Sequence, residues 1–99
     1  MKSFQRISVA QTKHMLAGGD IALVDIRDAL SYKQGHIDGA LLLDNDSISQ
    51  FIDATSKTQP VVVYCYHGNS SQNAAQYLVE QGFEEVYSMD GGYEGWRVS

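Results

Sequence analysis

The chain has 99 residues, 43% of them hydrophobic and 10% aromatic, which is enough apolar side chain for one hydrophobic core but not for two. We therefore expect residues 1–99 to form a single domain. The formal net charge of −5 argues against nucleic-acid binding, because it leaves no basic surface for a phosphate backbone. The apolar runs are too short for a secretory leader or a membrane span, so we expect a cytoplasmic protein that binds no membrane.

Cys65 is the only cysteine, and the three histidines are scattered along the chain. An internal disulfide is therefore impossible, and none of the ligand spacings of zinc or iron sites is present. We expect neither a metal nor a cofactor. An anionic substrate would have to be attracted by oriented backbone groups close to it, since the net charge of the protein repels anions at a distance.

Strands and helices are predicted to alternate along the first half of the chain. A short apolar segment over residues 4–8 precedes a helix, which Ser8 and Gln11 begin with capping-box spacing and Gly18-Gly19 end. Residues 21–24 form a continuous apolar run, typical of a strand buried on both faces of a parallel sheet. The other elements predicted in this half are a helix over residues 28–34, a strand over residues 40–43, and a helix from Ser47, where Ser47 and Gln50 repeat the capping-box spacing.

The second half continues the alternation. Pro60 precedes a strand over residues 61–64, and a helix over residues 71–81 ends at Gly82. A strand over residues 85–89 and a helical segment around residues 93–96 complete the chain. This order predicts an α/β fold: a single doubly wound domain of about five mostly parallel strands with helices on both faces. Ligands of such sheets lie beyond the carboxyl ends of the strands.

Cys65 lies at the carboxyl end of the strand over residues 61–64, and a loop of small and polar residues leads from it into the next helix. In such a loop, backbone N–H groups can turn inward as a nest, and the helix N-terminus adds a partial positive charge. Gly68 and Asn69 are residue types that tolerate the unusual dihedral angles of a nest. Several N–H donors would stabilise a thiolate and lower the pKa of Cys65, so that no general base is needed and His67 need not face the sulfur.

Cys65 also has a purely structural interpretation. Most free cysteines are small apolar residues of a core, and this one could simply end a buried strand. Gly, Asn and Ser also occur in ordinary connections between a strand and a helix, although a five-residue loop that begins at a cysteine and is rich in small polar residues is less common there. The local sequence leaves both interpretations open.

Four segments of the chain, in order, resemble the rhodanese family, and most closely its single-domain members. They are Val24-Asp25-Ile26-Arg27, Gly35-His36-Ile37-Asp38-Gly39-Ala40, Cys65-Tyr66-His67-Gly68-Asn69-Ser70 and Asp90-Gly91-Gly92-Tyr93-Glu94-Gly95-Trp96. The resemblance implies a sulfurtransferase in which Cys65 attacks the sulfane sulfur of thiosulfate, releases sulfite and holds the sulfur as a persulfide. A thiophilic acceptor then removes the sulfur; cyanide is the usual laboratory acceptor, and dithiols such as thioredoxin are the expected cellular ones.

The same resemblance implies roles for individual residues. Cys65 is the expected catalytic residue, and the expected substrate-binding residues are Tyr66, His67, Gly68, Asn69, Ser70 and Ser71. Their backbone N–H groups would form the cradle, to which the hydroxyls of Ser70 and Ser71 add donors. The resemblance assigns the remaining motif residues to the scaffold: Asp25 and Arg27 as an ion pair that holds loops, His36 as a local hydrogen-bonding group, and Trp96 as part of the core. We expect His14 to be solvated.

The chain differs from the rhodanese pattern in two respects, and two other functions are possible for this fold. The active loop lacks the basic residues of two-domain rhodaneses, so weak thiosulfate binding is expected. Cysteine phosphatases and arsenate reductases of the same fold close a loop one residue longer with an arginine, where this chain has Ser71, so a phosphate would lose its bidentate partner. The remaining alternative is a non-catalytic rhodanese-like interaction or sulfur-carrier module with an inert cysteine. Whether it is an enzyme or an interaction module, we expect a monomer.

The chain also departs from the family pattern at its end, because it stops soon after Trp96.

Overall fold

A computed structural model describes residues 3–99, over which five strands and five helices alternate. The strands are β1 (Gln5–Ile7), β2 (Ala22–Asp25), β3 (Leu41–Leu42), β4 (Val61–Tyr64) and β5 (Val86–Met89). The helices are α1 (Val9–Gly18), α2 (Ala29–Gln34), α3 (Ile48–Ala54), α4 (Ser70–Glu80) and α5 (Gly92–Arg97). All paired strands are parallel, in the order β1-β5-β4-β2-β3, which confirms the predicted fold.

Alternate residues of β4 face two different hydrophobic clusters. Val61 and Val63 belong to one cluster, whereas Val62 and Tyr64 belong to the other. The side chains that α3 and α4 contribute to the first cluster include Phe51, Ala75 and Leu78. The side chains that α1, α2 and α5 contribute to the second include Met15, Leu16, Tyr32, Tyr93 and Trp96. Because successive side chains of a strand point to opposite faces, helices cover the sheet on both sides, as the sequence predicted.

Two Ser-x-x-Gln segments with the same spacing behave differently. At α1, Ser8 Oγ accepts from the Gln11 N–H at 3.0 Å and Gln11 Oε1 accepts from the Ser8 N–H at 2.8 Å, so this predicted capping box is confirmed. At α3, the Ser47 side chain makes no hydrogen bond to the helix; its Oγ accepts instead from the Asp44 N–H at 3.0 Å. The capping box predicted for Ser47 and Gln50 is therefore wrong, because the preceding turn uses the hydroxyl.

The site is positioned by the carboxyl end of β4, which lies between β2 and β5 in the sheet. Asp25 is paired with Tyr64 and Val63 with Ser88, so the residues that follow β2, β4 and β5 emerge at the same edge. Such an edge is the usual ligand-binding edge of a doubly wound sheet. Within residues 3–99, no helix has the length and apolar character needed to cross a membrane.

Candidate active site

The sulfur of Cys65 lies where several hydrogen-bond donors converge. Cys65 directly follows β4 and is only 3% exposed. Its Sγ accepts from the Gly68 N–H at 3.1 Å and from the Ser71 N–H at 3.3 Å, and the Ser71 hydroxyl oxygen lies 3.3 Å away. Ser71 belongs to the first turn of α4, so the N–H end of that helix is directed at the sulfur. The loop thus surrounds the sulfur with dipoles and not with charges.

These donors change the acidity of the thiol. Burial by itself raises the pKa of Cys65, because it disfavours the charged thiolate, but hydrogen bonds from the Ser71 hydroxyl and from the N–H groups of Ser71, Gly68 and His67 outweigh it. The pKa of Cys65 is therefore lowered. The thiolate is the reactive form of cysteine, and the loop favours that form without a neighbouring general base.

Helix α5 holds the outer side of the loop. The Tyr93 N–H donates to Cys65 O at 2.8 Å and the Glu94 N–H donates to Tyr66 O at 3.1 Å. In a trans peptide the carbonyl and the following N–H point in opposite directions. Binding of Tyr66 O to α5 therefore turns the His67 N–H inward, where it contributes to the lowered pKa of Cys65.

A side chain holds the next carbonyl of the loop. Gln72 Nε2 donates to Gly68 O at 2.9 Å, and by the same peptide geometry this directs the Asn69 N–H to the opposite side. Gly68 adopts a φ of +98°, and a Cβ there would lie 3.0 Å from Gly91 N, so only glycine fits. Asn69 has a φ of −92°, which any residue adopts. The unusual dihedral that the sequence led us to expect is therefore at Gly68 and not at Asn69.

Gly92 begins α5 against the backbone of the loop. Its φ is +59°, and an added Cβ would lie 2.5 Å from Cys65 O and 2.6 Å from His67 N. No side chain fits such a gap, so any substitution must move α5 away from the loop. The sequence indicated only a turn here, and the signal available was the Gly-Gly pair that follows a strand.

The side chains of the expected substrate-binding residues are arranged unequally. Ser71 is buried against the sulfur, whereas the side chains of Tyr66, His67, Asn69 and Ser70 lie on the exposed rim of the loop. Within residues 3–99, no hydrogen bond joins Tyr66, Asn69 or Ser70 to Sγ. Backbone N–H groups of the loop therefore surround the sulfur, and the side chains of Tyr66, His67, Asn69 and Ser70 form a solvent-facing rim.

The rim is tied to α2 through Tyr66. Its hydroxyl hydrogen-bonds to a carboxylate oxygen of Asp28 and lies 2.8 Å from Ser31 Oγ. Asp28 also caps α2 by accepting from the Ser31 N–H at 3.0 Å. Tyr66 thus connects the residue after the nucleophile to the beginning of a neighbouring helix.

Asp25 and Arg27 form a buried ion pair at the end of β2. The Asp25 side chain is 0% exposed and the Arg27 side chain 4% exposed, with 2.7 Å between a guanidinium nitrogen and a carboxylate oxygen. The same guanidinium donates to Gly35 O at 2.7 Å and lies 4.1 Å from the centre of the Tyr93 ring. The pair therefore connects β2, the end of α2 and α5, which supports the scaffolding role expected from the sequence.

The other motif residues lie outside the loop. His36 places Nδ1 2.8 Å from Tyr32 O and stacks on the Tyr32 ring with 3.8 Å between centroids, so it is a local hydrogen-bonding group. Trp96 is half-buried against the second hydrophobic cluster, and His14 is exposed on α1. Within the described residues, no group of three or more His, Cys, Asp or Glu side chains could hold a metal ion.

A cavity of about 280 Å³ adjoins the rim at Tyr66. Two guanidinium groups line it, and both are already paired: Arg27 with Asp25, and Arg97 with Glu94 at 2.8 Å. This cavity therefore offers no unpaired cation to an anion.

Comparison with known proteins identifies the family. The family model described as Rhodanese-like domain matches residues 8–99. A relative from Shewanella oneidensis, named Thiosulfate sulfurtransferase GlpE, is 52% identical over 97 residues, which are 98% of this chain and 96% of the relative. A relative of the same name from Pseudoalteromonas translucida is 50% identical over 97 residues, 98% of this chain and 92% of the relative.

The solution structure of the rhodanese-like domain of an Anabaena protein matches with a TM-score of 0.84 at 26% identity, covering 99% of this chain and 75% of that one. The protein whose loop surrounds Cys65 belongs to the rhodanese family.

Proposed function

We propose that this protein is a thiosulfate sulfurtransferase that transfers the outer sulfur of thiosulfate through a persulfide on Cys65. The observation that carries the proposal is the convergence of the Gly68 N–H, the Ser71 N–H and the Ser71 hydroxyl on Cys65 Sγ. Relatives that bear this name match almost the full length of the chain at 50% and 52% identity, which supports the same activity here.

The first half-reaction needs a thiolate but no proton transfer. Cys65 Sγ attacks the outer sulfur of thiosulfate, an S–S bond forms, the S–S bond within thiosulfate breaks, and its electron pair leaves with sulfite. The negative charge of the thiolate passes to the outer sulfur of the persulfide. Inward N–H groups of the loop are suited to stabilise that charge, because they are oriented before the reaction begins. The exposed side chain of His67 is not required in this step.

The second half-reaction returns the enzyme to its starting form. Cyanide attacks the outer sulfur, the S–S bond to Sγ breaks, and thiocyanate leaves while the electron pair returns to Cys65 as a thiolate. A dithiol acceptor takes the sulfur in the same way: one thiolate attacks, and its partner thiol then displaces hydrosulfide to form a disulfide. The exposed rim of Tyr66, His67, Asn69 and Ser70 suits a protein dithiol such as thioredoxin.

The choice of acceptor is tested by competition. At matched thiol concentration, reduced thioredoxin should turn over the Cys65 persulfide faster than glutathione does, measured as sulfite released from thiosulfate. Equal rates with the two acceptors would contradict a protein acceptor.

We also propose that the chain works as a monomer in the cytoplasm. The Gly68 and Ser71 groups that contact Cys65 Sγ lie within six residues of it in the sequence, so one chain can form the loop by itself. A single free thiol that must cycle through a persulfide suits a reducing compartment. Activity per mole of protein should therefore stay constant on dilution, and a loss of specific activity on dilution would indicate an obligate oligomer.

The decisive experiment for sulfur transfer is intact mass spectrometry. The protein and a Cys65→Ser variant are incubated with thiosulfate in the absence of reductant. A gain of one sulfur atom, about 32 Da, that dithiothreitol then removes is expected for the cysteine-containing protein alone, because thiols reduce a persulfide but not a sulfinic acid of the same nominal mass. A folded protein with a titratable free thiol and no adduct would contradict the proposal and favour the interaction module.

A further inference from the structure

Ser88 is a buried serine on β5 that the sulfur-transfer steps do not use. Its side chain is 0% exposed, and its position in β5 is paired with Val63 of β4, two residues before Cys65. Ser88 Oγ lies 2.8 Å from Ser71 Oγ, which itself lies 3.3 Å from Cys65 Sγ. Two buried hydroxyls therefore connect the strand beside β4 to the nucleophile.

The hydroxyl hydrogens of Ser71 and Ser88 can point either towards Cys65 Sγ or away from it. If a Cys65 thiol donates to Ser71 Oγ, Ser71 donates to Ser88 Oγ, and the structure shows no acceptor for the Ser88 hydrogen within the described residues. If Cys65 is a thiolate, Ser88 donates to Ser71 Oγ and the Ser71 hydroxyl donates to Sγ, so both hydroxyl hydrogens are used. Since buried donors without partners are unfavourable, the arrangement in which Ser88 donates to Ser71 Oγ is favoured, and it directs the Ser71 hydroxyl at Sγ.

We propose that Ser88 is a positioning residue that donates to Ser71 Oγ and thereby keeps the Ser71 hydroxyl directed at the sulfur of Cys65. Ser88 does not touch the sulfur or the substrate in this role and acts only through Ser71. The inference deepens the proposed function, since the group that Ser88 orients stabilises the nucleophile of the sulfur transfer. It also explains why a strand of otherwise apolar or aromatic residues, Val86–Met89, carries a fully buried hydroxyl.

The experiment is a double-mutant cycle read out as the titration of Cys65. The variants are Ser88→Ala, Ser71→Ala and the two combined, and the ultraviolet absorbance of the thiolate is followed against pH. Ser88→Ala should raise the midpoint by about 0.5 to 1 pH unit, the size expected for one lost hydrogen bond to the ionised form. In the Ser71→Ala background, Ser88→Ala should cause no further rise, because the group that Ser88 orients is already absent.

A matched control separates this role from loss of a buried hydroxyl in general. Thr12 is also 0% exposed and donates to Ser8 O at 2.9 Å in α1, so Thr12→Val removes a comparable group away from the loop. It should lower stability without moving the titration of Cys65. An unchanged midpoint in Ser88→Ala would overturn the inference, and so would an equal shift with and without the Ser71 hydroxyl.

The two proposals fail in different ways. The titration needs no thiosulfate, so it reports on Ser88 even if the protein accepts sulfur from another donor. A wild-type protein that gains no sulfur would refute the proposed function while the double-mutant cycle still tests the link from Ser88 to Cys65.

Discussion

The carboxyl ends of β2 and β4 are neighbours in the sheet, but only the end of β4 has the arrangement of a reactive site. At the end of β2, the charged groups of Asp25 and Arg27 are directed at each other, and Arg27 also donates to Gly35 O. After β4, the loop around Cys65 contains no Lys, Arg, Asp or Glu, and its N–H groups converge on one sulfur. Charged residues at a strand end therefore do not by themselves mark a site. A buried ion pair satisfies its own donors, whereas the uncharged loop presents its donors to a nucleophile.

The largest expected effect comes from breaking the ion pair. Arg27→Ala leaves the carboxylate of Asp25, which is 0% exposed, without its partner. An uncompensated buried charge costs about 3–5 kcal/mol of the free energy of unfolding, measurable by urea denaturation. The matched control is Arg97→Ala, whose partner Glu94 is 47% exposed, and its unfolding midpoint should stay near that of the wild type. If Arg27→Ala and Arg97→Ala unfold together, the scaffolding role is wrong.

The next largest effect concerns the contact between α5 and the loop. Gly92→Ala places a Cβ 2.5 Å from Cys65 O, so the loop must move and turnover should fall about 100-fold, as expected for a displacement of about 1 Å at a reacting group. Gly19→Ala is the control for the left-handed backbone alone, because Gly19 has a φ of +85° and nothing within 4 Å of an added Cβ. We expect Gly19→Ala to cost about 1–2 kcal/mol of stability and to keep its turnover. Similar turnover in the two variants would show that the close approach is unimportant.

A smaller effect is expected at His67. If the loop alone ionises Cys65, His67→Ala should reduce the rate of persulfide formation by far less than the roughly 100-fold that a general base contributes. The variant keeps the backbone N–H that faces the sulfur, and His14→Ala on the exposed face of α1 serves as the control. A large loss confined to His67→Ala, with an altered pH dependence, would assign proton transfer to this side chain.

The smallest effect is that of salt. The net charge of −5 repels thiosulfate at long range, and the loop offers no side-chain cation to counter this. Raising the ionic strength from about 0.01 M to about 0.15 M shortens the screening length from about 30 Å to about 8 Å, which should raise kcat/KM about twofold. A decrease would mean that a cation such as Arg97 attracts the substrate, and Arg97→Gln would then abolish that decrease.

Local patterns in the sequence predicted what depends on neighbouring residues. Each correct prediction used residues that are close together in the sequence. These were the apolar run of β4, the capping box of Ser8 and Gln11, and the cysteine between a strand and a helix. The same local rule failed at Ser47 and Gln50, because a preceding turn competed for the hydroxyl.

The contributions of Ser88 and Gly92 were not predictable in this way. Ser88 meets Ser71 across a sequence separation of 17 residues, through the register of β5 on β4. Gly92 meets Cys65 only because α5 packs on the loop, and its sequence resembles an ordinary turn. Both depend on tertiary packing, which single-sequence patterns do not contain.

The acidity of Cys65 is the most direct test of the claim that backbone and hydroxyl donors activate the nucleophile. Thiolate absorbance is titrated against pH in the folded protein, with Cys65→Ser as the blank and the urea-unfolded chain as the reference. We predict a midpoint below the ordinary value of about 8.5, which the unfolded chain should show. The thiol then adds stability that is fully present above about 8.5 and is lost as the pH falls through the midpoint of the folded protein. A folded-state midpoint at or above that of the unfolded chain would contradict the account.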